Sequence, residues 1–415
     1  MVGKIQLMRT LTPSDHVVVV GAGLAGWRFI EAVRRDGYLG AITLVGEEPH
    51  LPYDRPPLSK QVLSGKWDVE KTSLATSELV SQHEVSLRLG VAATALDVAT
   101  TTVHLADGDM LGATHVVIAT GSRARTMKFS AGDLVHTLRT RDDVRSLDTV
   151  LSTLRDAERV AVIGGGFIGA EAATALQARG LVPIVLEAAP RPLINILGAE
   201  VSSWVEGLSA RVGIDLRNDQ NIADVVALDD GLVILMRDGS SLSVGAVIAG
   251  VGAQVNDEWL ATSGLTIDNG VVVDENLLAA PGVAALGDVA RFMWNGPLGR
   301  ELVRIEHWQV ANDHAAHLAR YWISGVAPEA RLVPYFWSDQ YGKKIQMLGH
   351  PRADDEVVMV AGSIDEEKWL ALYSREGVVT GVVALSQPRA LMLSKRLLDE
   401  TTALEVALAE EPWAR

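Results

Sequence analysis

The fold is decided by the stretch His16-Val17-Val18-Val19-Val20-Gly21-Ala22-Gly23-Leu24-Ala25-Gly26. Its run of valines is typical of a strand buried on both faces of a parallel sheet. The strand leads directly into a G-x-G-x-x-G loop, which is followed by a helical stretch at 27–35 and a second strand at 41–45. In such a loop the first glycine allows a tight turn, the second admits a pyrophosphate, and the third lets helix and strand pack closely. The order predicts a βαβ dinucleotide-binding unit.

The same pattern recurs later in the chain. A strand at 159–163 enters the loop Gly164-Gly165-Gly166-Phe167-Ile168-Gly169, and a helix at 170–178 and a strand at 182–186 follow. In both units an acid stands at the tip of the second strand, Glu47 in the first and Glu187 in the second. Such a carboxylate accepts hydrogen bonds from ribose hydroxyls, while the helix N-terminal amides face the phosphates. The sequence therefore predicts two dinucleotide sites.

Glu187 also bears on the choice of nicotinamide. A carboxylate accepts a hydrogen bond from a free 2′-hydroxyl and repels a 2′-phosphate, so NADH is preferred over NADPH. Arg191 is close enough in sequence to weaken this inference slightly, and we favour its interpretation as a solvated loop charge.

Composition excludes several classes of protein. The chain has 415 residues, 48% of them hydrophobic, and its net charge is −15. This charge argues against partners such as nucleic acid or a membrane surface. There is no cysteine, which removes thiol redox centres and iron–sulfur ligation, so electrons must sit on a bound cofactor. Two dinucleotide sites then suggest FAD plus NADH. The sequence shows neither a secretory signal nor a membrane-length apolar stretch, so we expect a cytoplasmic protein.

The remaining chain adds strands and a third domain. Strands are expected at 115–119, 247–249 and 283–288, the last with Asp288 at its tip. Further strands at 343–348, 357–361, 368–374 and 378–385 read as an antiparallel meander. Helices follow at 388–398 and from about Thr402, where Thr402 and Glu405 form a possible capping box. At 52–60, Arg55 can clamp phosphates, and Lys60 is expected to begin a helix, an unusual place for a cation that suggests a site.

Four runs together carry a family resemblance: Pro-Tyr-Asp-Arg-Pro-Pro-Leu-Ser-Lys at 52–60, Gly-Gly-Gly-Phe-Ile-Gly-Ala-Glu at 164–171, Ala-Leu-Gly-Asp at 285–288 and Tyr-Phe-Trp-Ser-Asp-Gln-Tyr at 335–341. The chain resembles the bacterial FAD-dependent ferredoxin reductases of oxygenase systems, of the putidaredoxin reductase and Rieske dioxygenase reductase type. The resemblance implies an α/β fold with two Rossmann-like domains, as in glutathione reductase, plus a C-terminal α+β domain. It implies an FAD domain at 1–122 and 247–328, an NAD domain at 123–246 and a C-terminal domain at 329–415.

The resemblance also implies the site residues. Those expected at FAD are Gly21, Gly23, Leu24, Ala25, Gly26, Glu47, Arg55, Lys60, Ala93, Thr120, Gly121, Arg139, Gly287, Asp288, Glu306, His307, Trp308 and Trp337. Those expected at NADH are Gly164, Gly166, Phe167, Ile168, Gly169, Glu171, Glu187 and Gly252. Lys60 and Glu171 are expected to pair beside the nicotinamide as the catalytic residues. Glu306-His307-Trp308 would begin a helix whose amides face the flavin, which favours the negative charge of the reduced ring.

The implied partner is a small iron–sulfur ferredoxin that feeds a monooxygenase or a Rieske dioxygenase. Its docking face is predicted at Lys343, Lys344, Lys395 and Arg396. We expect a monomer or weak homodimer. An NADH-sensing flavoprotein of the apoptosis-inducing-factor type remains the alternative, and a quinone reductase is a weaker one. His307, His314 and His317 share a predicted helix, but without cysteine we favour packed or solvated histidines over a metal site.

Overall fold

The structure is a computed structural model that describes residues 10–229, 231–326 and 332–414. The helices are α1 Leu24–Arg35, α2 Ser77–Gln82, α3 Arg141–Leu151, α4 Phe167–Ala178, α5 Ile194–Arg211, α6 Trp308–Ser324, α7 Pro388–Asp399 and α8 Leu404–Glu410. The strands are β1 His16–Val20, β2 Ala41–Gly46, β3 Val85–Leu89, β4 Ala93–Asp97, β5 Thr102–Leu105, β6 Met110–Gly112, β7 His115–Ile118, β8 Ser122–Ala124, β9 Val135–His136, β10 Arg159–Ile163, β11 Val182–Leu186, β12 Asp215–Arg217, β13 Ile222–Leu228, β14 Gly231–Met236, β15 Ser241–Val244, β16 Ala246–Ala249, β17 Ala253–Val255, β18 Val271–Val273, β19 Leu278–Ala280, β20 Val283–Ala285, β21 Ala290–Gly296, β22 Gly299–Val303, β23 Tyr335–Gln340, β24 Lys343–Gly349, β25 Glu356–Ser363, β26 Lys368–Arg375 and β27 Val378–Leu385.

The described residues divide into two compact units. The first takes its residues from Met1–Asp54, Ser73–Ser122 and Val255–Tyr335, and the second from Arg55–Thr72, Arg123–Gln254 and Phe336–Arg415. The change of unit after residue 122 falls where the sequence puts the end of the first FAD segment. The predicted boundary at 328/329 lies outside the described residues. The division of the chain into FAD, NAD and C-terminal domains stays a prediction.

A six-stranded sheet forms the core of the first unit, in the order β19-β20-β7-β1-β2-β3. All its strands run parallel except β19, which pairs antiparallel with β20. Because β1 has a partner on each side and both faces covered, Val17, Val18 and Val19 are fully buried. The loops after β1, β2, β7 and β20 leave from the same carboxyl edge, where open α/β sheets bind ligands.

A second parallel sheet lies in the second unit, ordered β12-β11-β10-β16-β9. The strand–loop–helix sequence β10–α4–β11 repeats that of β1–α1–β2, so the two predicted βαβ units are confirmed. A three-stranded antiparallel sheet, β13-β14-β15, was not predicted from the sequence.

The C-terminal part of the second unit is a five-stranded sheet with the helices α7 and α8. Its order is β23-β24-β27-β26-β25, and β24 pairs with β27 rather than with β25. The predicted meander is therefore wrong for the first of its four strands, and β23 was missed. The predicted capping box is also wrong, because α8 follows Ala403 with no side-chain cap. The backbone of Thr402 instead donates to Leu397 and accepts from Val379.

Lys60 does not begin a helix, contrary to the prediction. It lies in the middle of a π-helical turn, Leu58–Val62. The amides of Val62 and Leu63 donate to carbonyls five residues back, those of Pro57 and Leu58, at 3.0 and 3.2 Å. Such turns are rare and frequently occur at functional sites.

Candidate functional site

The first glycine loop is closed on its protein side and open on the other. Gly21 has φ of +121°, and a Cβ there would lie 2.1 Å from the carbonyl oxygen of Ala119. A Cβ on Gly26 would lie 2.2 Å from the carbonyl oxygen of Gly21. By contrast, a Cβ on Gly23 would meet no atom within 4 Å. The loop therefore leaves free space at the position where a pyrophosphate must approach backbone, so it fits a dinucleotide.

Other residues predicted at FAD lie beside this loop. Gly287 has φ of +70°, and a Cβ there would lie 2.9 Å from the Cβ of Ala25. The hydroxyl of Ser122 donates to Oδ2 of Asp288 at 3.1 Å. The structure thus brings the glycine loop and the Asp288 turn together within the first unit. Ser122 was not predicted, and its separation of 166 residues from Asp288 leaves no local signal.

The turn after β7 is fixed by Asn256, which the sequence analysis missed. The hydroxyl of Thr120 donates to the carbonyl oxygen of Asn256 at 2.7 Å, and Nδ2 of Asn256 donates to the carbonyl oxygen of Thr120 at 2.9 Å. Gly121 has φ of +64°, and a Cβ there would meet no atom within 4 Å. The backbone at Thr120-Gly121 is therefore held in place while one side stays open, as the predicted FAD role requires.

The start of α6 agrees with the sequence prediction. His307 is the N-cap residue, and Trp308 is the first helical residue. Nε1 of Trp308 donates to Oδ1 of Asp54 at 2.8 Å, which fixes the first turn, and Glu306 pairs with Arg304. The first turn carries no acidic residue that would offset the partial positive charge of the helix start. Three other residues predicted at FAD lie in this unit: Leu24 begins α1, Glu47 follows β2 directly and is exposed, and Ala93 begins β4.

His314 on α6 is buried beside the Asp288 turn. Its Nδ1 accepts a hydrogen bond from the amide of Gly287 at 3.3 Å, so Nε2 carries the proton of the neutral ring. The pKa of His314 is lowered to about 3, chiefly by burial and also by the neighbouring His317, while Asp288 opposes the shift. Among the described residues, no group of three His, Cys, Asp or Glu side chains could hold a metal ion.

We expect His314 to make stability fall in mild acid. Its folded-state pKa lies below the ordinary value of 6.5. Below pH 6.5 the imidazole becomes protonated in the unfolded chain but stays neutral in the folded protein. The free energy of unfolding therefore falls as the pH drops from 6.5 toward 3. Between pH 7.5 and 5.5, the wild type should lose about 1.4 kcal/mol more unfolding free energy than His314→Gln. Urea unfolding at the two pH values measures this.

The control for this change is His104→Gln, which removes a half-buried histidine on β5. It should retain the acid sensitivity of the wild type. If the wild type and His314→Gln lost the same free energy between the two pH values, the role of His314 in acid sensitivity would be disproved.

The second glycine loop repeats the geometry of the first. Gly164 has φ of +99°, and a Cβ there would lie 2.4 Å from the carbonyl oxygen of Gly250. A Cβ on Gly169 would lie 1.9 Å from the carbonyl oxygen of Gly164, whereas one on Gly166 would meet no atom within 4 Å. This loop also fits a dinucleotide, because backbone closely surrounds its first and third glycines while the space beside its second glycine is open.

Glu187 lies at the end of β11, and backbone amides hold both of its oxygens. Oε2 accepts from Gly165 at 2.6 Å, and Oε1 accepts from Ala189 at 2.8 Å. Each carboxylate oxygen has further lone pairs for a ribose hydroxyl. A carboxylate held beside a glycine loop in this way disfavours a 2′-phosphate.

The buried carboxylate of Glu171 on α4 accepts hydrogen bonds from three side chains. Oε2 accepts from Nζ of Lys60 at 2.7 Å and from the hydroxyl of Ser59 at 2.5 Å. Oε1 accepts from the hydroxyl of Ser338 on β23 at 2.6 Å. The side chain of Glu171 is 3% exposed and that of Lys60 is 13% exposed. The structure therefore forms the predicted pair, and it adds two serines that the sequence analysis missed.

Other predicted residues also lie in the second unit. The rings of Phe167 and Phe336 are 4.5 Å apart, and Trp337 lies beside Phe336 on β23. Nη1 of Arg55 donates to the carbonyl oxygen of Arg139 at 2.8 Å. The roles of Arg55, Lys60, Arg139 and Trp337 at FAD stay predictions, as do those of Ile168 and Gly252 at NADH.

The four cations predicted to dock a ferredoxin have acidic neighbours. The ion pairs are Lys343–Glu367 at 2.6 Å, Lys344–Asp339 at 3.5 Å, Lys395–Asp399 at 2.9 Å and Arg396–Glu410 at 2.6 Å. These carboxylates reduce the positive potential of the surface, so the docking role stays a prediction with weaker support. In the part of the chain that the structure describes, no helix is long and apolar enough to span a bilayer.

Two βαβ units, each with a glycine loop that is open at its second glycine and an acid after its second strand, are typical of an oxidoreductase that binds two dinucleotides. The pyridine nucleotide-disulphide oxidoreductase family matches residues 15–315, and the reductase C-terminal family matches residues 335–414. The chain belongs to the pyridine nucleotide-disulphide oxidoreductase family. Because it has no cysteine, it is not one of the members that use a thiol–disulphide pair.

Individual relatives agree with this assignment. The chain is 35% identical over 397 residues to the ferredoxin reductase component of chlorobenzene dioxygenase from Cupriavidus sp. (strain PS12), covering 95% of both chains. It is 32% identical to putidaredoxin reductase from Pseudomonas putida, covering 95% of this chain and 94% of that one. The reductase in the solved covalent putidaredoxin reductase–putidaredoxin complex superposes with a TM-score of 0.89 at 30% identity, covering 97% and 99% of the two chains. The predicted family resemblance and fold class are confirmed.

Proposed function

We propose that the chain is an NADH-dependent, FAD-containing ferredoxin reductase of an oxygenase system. Bound FAD would accept a hydride from NADH and release its electrons one at a time to a small iron–sulfur protein. The observation that carries the proposal is the pair of cradles, each closed around its first and third glycines and open at the second. The proposal is supported by relatives named as reductases of ferredoxins in dioxygenase and putidaredoxin systems.

The residues of this chain have separate tasks in this proposal. Gly23 and Gly166 leave room for the two pyrophosphates, and Glu187 selects a ribose with a free 2′-hydroxyl. The amides at the start of α6 favour the negative charge that develops on a reduced flavin. Lys60 and Glu171 hold the nicotinamide side of the site in one arrangement through their ion pair and the two serine hydroxyls.

Further details belong to the same proposal. The protein acts in the cytoplasm as a monomer or weak homodimer, and its partner is a ferredoxin that serves a monooxygenase or a Rieske dioxygenase. The net charge of −15 supports the view that neither nucleic acid nor an anionic membrane is a partner.

The test is an anaerobic titration of the yellow holoprotein with NADH, followed by transfer to candidate ferredoxins. Stoichiometric bleaching of the flavin absorbance and rapid ferredoxin reduction would support the proposal. A protein that stays colourless when supplied with FAD would contradict it. Slow reduction of every acceptor, together with a change of association state on NADH binding, would favour the sensing alternative instead.

Reversal of Lys395 and Arg396 to Glu tests the docking face. We expect the Michaelis constant for ferredoxin to rise about fivefold, because reversed charges slow the encounter with an acidic partner. The effect is modest because both cations already have carboxylate neighbours. Turnover of NADH with ferricyanide, a small acceptor that needs no docking face, should not change.

The matched control reverses Arg155 and Arg159, two exposed cations, of which Arg159 is the first residue of β10. It makes the same charge change at another surface and should leave the Michaelis constant for ferredoxin within about twofold of the wild type. Equal increases in the two double variants would show that only net charge matters and would remove the docking role.

A further inference from the structure

We propose that Glu206 on α5 is a specificity-determining residue, which holds Arg191 away from the adenosine 2′ position. The chain then presents only the carboxylate of Glu187 to the ribose and prefers a nucleotide without a 2′-phosphate. The inference rests on the proposed function, which makes NADH the electron donor.

The segment after Glu187 folds back over the glycine loop. A Cβ on Gly165 would lie 3.1 Å from Oε2 of Glu187 and 3.2 Å from the Cβ of Pro192. The acid and the proline therefore stand on the same side of the loop. Arg191 immediately precedes this proline, so it belongs to the short segment that borders the predicted ribose position.

Two residues of α5 fix this segment. The hydroxyl of Ser202, which is fully buried, donates to the carbonyl oxygen of Pro192 at 2.9 Å. One turn further along the helix, Oε2 of Glu206 lies 3.3 Å from Nε of Arg191. Residues four apart on a helix share a face, so a single face of α5 holds both the backbone and the guanidinium of the segment.

The carboxylate of Glu206 is itself held in place. Its other oxygen, Oε1, accepts a hydrogen bond from Nδ2 of Asn218, which follows β12. The amide of the next residue, Asp219, donates to the carbonyl oxygen of Ala189 at 3.2 Å. The residues after β12 therefore hold both the segment that contains Arg191 and the carboxylate of Glu206 that pairs with it.

The chemistry of this arrangement concerns the 2′-phosphate. A nearby arginine is the usual means of accommodating that group in dinucleotide sites, whereas an acid repels it. The Arg191 side chain is 43% exposed and that of Glu206 is 32% exposed, so a partly solvated contact retains the guanidinium. Removal of the charge of Glu206 should free Arg191 to meet a 2′-phosphate with little effect on folding.

The experiment measures binding of two probes to the FAD-loaded protein by calorimetry. Adenosine 2′,5′-bisphosphate carries the 2′-phosphate, and adenosine 5′-monophosphate lacks it. Glu206→Gln should bind the bisphosphate about tenfold more tightly and the monophosphate within about twofold of the wild type. The ratio of kcat/KM for NADPH to that for NADH, measured with ferricyanide, should rise in parallel.

Two further variants make the result specific. Glu200→Gln removes one charge from an exposed residue of the same helix, which forms no ion pair within the described residues, and it should leave both affinities unchanged. Arg191→Ala combined with Glu206→Gln should abolish the gain. Unchanged bisphosphate affinity in Glu206→Gln, or a gain that persists in the double variant, would overturn the inference. Failure of the wild type to oxidise NADH would instead count against the proposed function.

Discussion

Gly21→Ala should yield a destabilised protein that does not retain FAD. The new Cβ would lie 2.1 Å from the carbonyl oxygen of Ala119 and 2.4 Å from its carbonyl carbon, and both are backbone atoms that cannot rotate away. The residue also has φ of +121°, a region that side chains with a Cβ rarely adopt. Together these should cost about 3–5 kcal/mol of unfolding free energy. Urea unfolding and the flavin absorbance of the purified protein measure the two effects.

Gly23→Ala should separate folding from cofactor binding. Gly23 has φ of −93°, which alanine adopts readily, and its Cβ would meet no protein atom. The unfolding free energy should therefore change by no more than about 0.5 kcal/mol. The methyl group would occupy the space left for the pyrophosphate, so FAD affinity should fall about 100-fold, measured by quenching of flavin fluorescence.

Gly112→Ala provides the control for both changes. A Cβ at this exposed position on β6 would meet no atom within 4 Å, and the position is not part of the loop. Stability and FAD affinity should both stay close to the wild type. If Gly23→Ala bound FAD as tightly as Gly112→Ala, the open side of the loop would not be the pyrophosphate position.

Loss of the Glu171 carboxylate should lower both the free energy of unfolding and the rate of flavin reduction. Glu171→Leu leaves the ammonium of Lys60, which is 13% exposed, without its counter-ion. The loss of one partner from a buried pair costs about 3–5 kcal/mol, most of it the penalty for the charge left behind. Reduction of the flavin by NADH, followed by stopped flow, should slow about 100-fold because the site loses its fixed geometry.

The double variant Lys60→Met with Glu171→Leu distinguishes stability from function. Replacement of both charges by apolar groups of similar size is often neutral, so most of the stability should return. About 1–2 kcal/mol should stay lost, because the hydroxyls of Ser59 and Ser338 lose their acceptor. The reduction rate should stay low. A double variant that is reduced at the wild-type rate would show that the pair serves only the fold.

The glycine loops could be predicted from the sequence because the constraints within each loop are local. The positive φ of Gly21 and Gly164 follows from a turn between neighbouring elements, and the close approach of Gly26 and Gly169 lies within the same loop. The valine run of β1 is likewise a local pattern, and it predicts a strand buried on both faces. The glycine spacing and the valine run each span only a few consecutive residues, so both can be recognised in one sequence.

The partners of the site could not be predicted, because they come from distant parts of the chain. Asn256 lies 136 residues from Thr120, and Ser338 lies 167 residues from Glu171. A lone serine or asparagine carries no periodic signal that would mark such a contact. The turn at Leu58–Val62 was misread for another reason: its bonds span five residues, and no pattern of apolar residues distinguishes them from an ordinary helical start.

The carboxylate of Glu171 has a consequence for the order in which the site can be completed during synthesis. The second unit is made of three separate stretches of chain: Glu171 lies in the middle stretch, and its donors come from the other two, Ser59 and Lys60 from the first and Ser338 from the last. Contacts between such distant residues form late, because the intervening loops must close first. On the ribosome, Lys60 and Glu171 can pair early. Oε1 of Glu171 gains its donor only when the stretch that carries Ser338 has emerged. A nascent chain therefore cannot complete the donor set of Glu171 until the stretch that carries Ser338 has been synthesised.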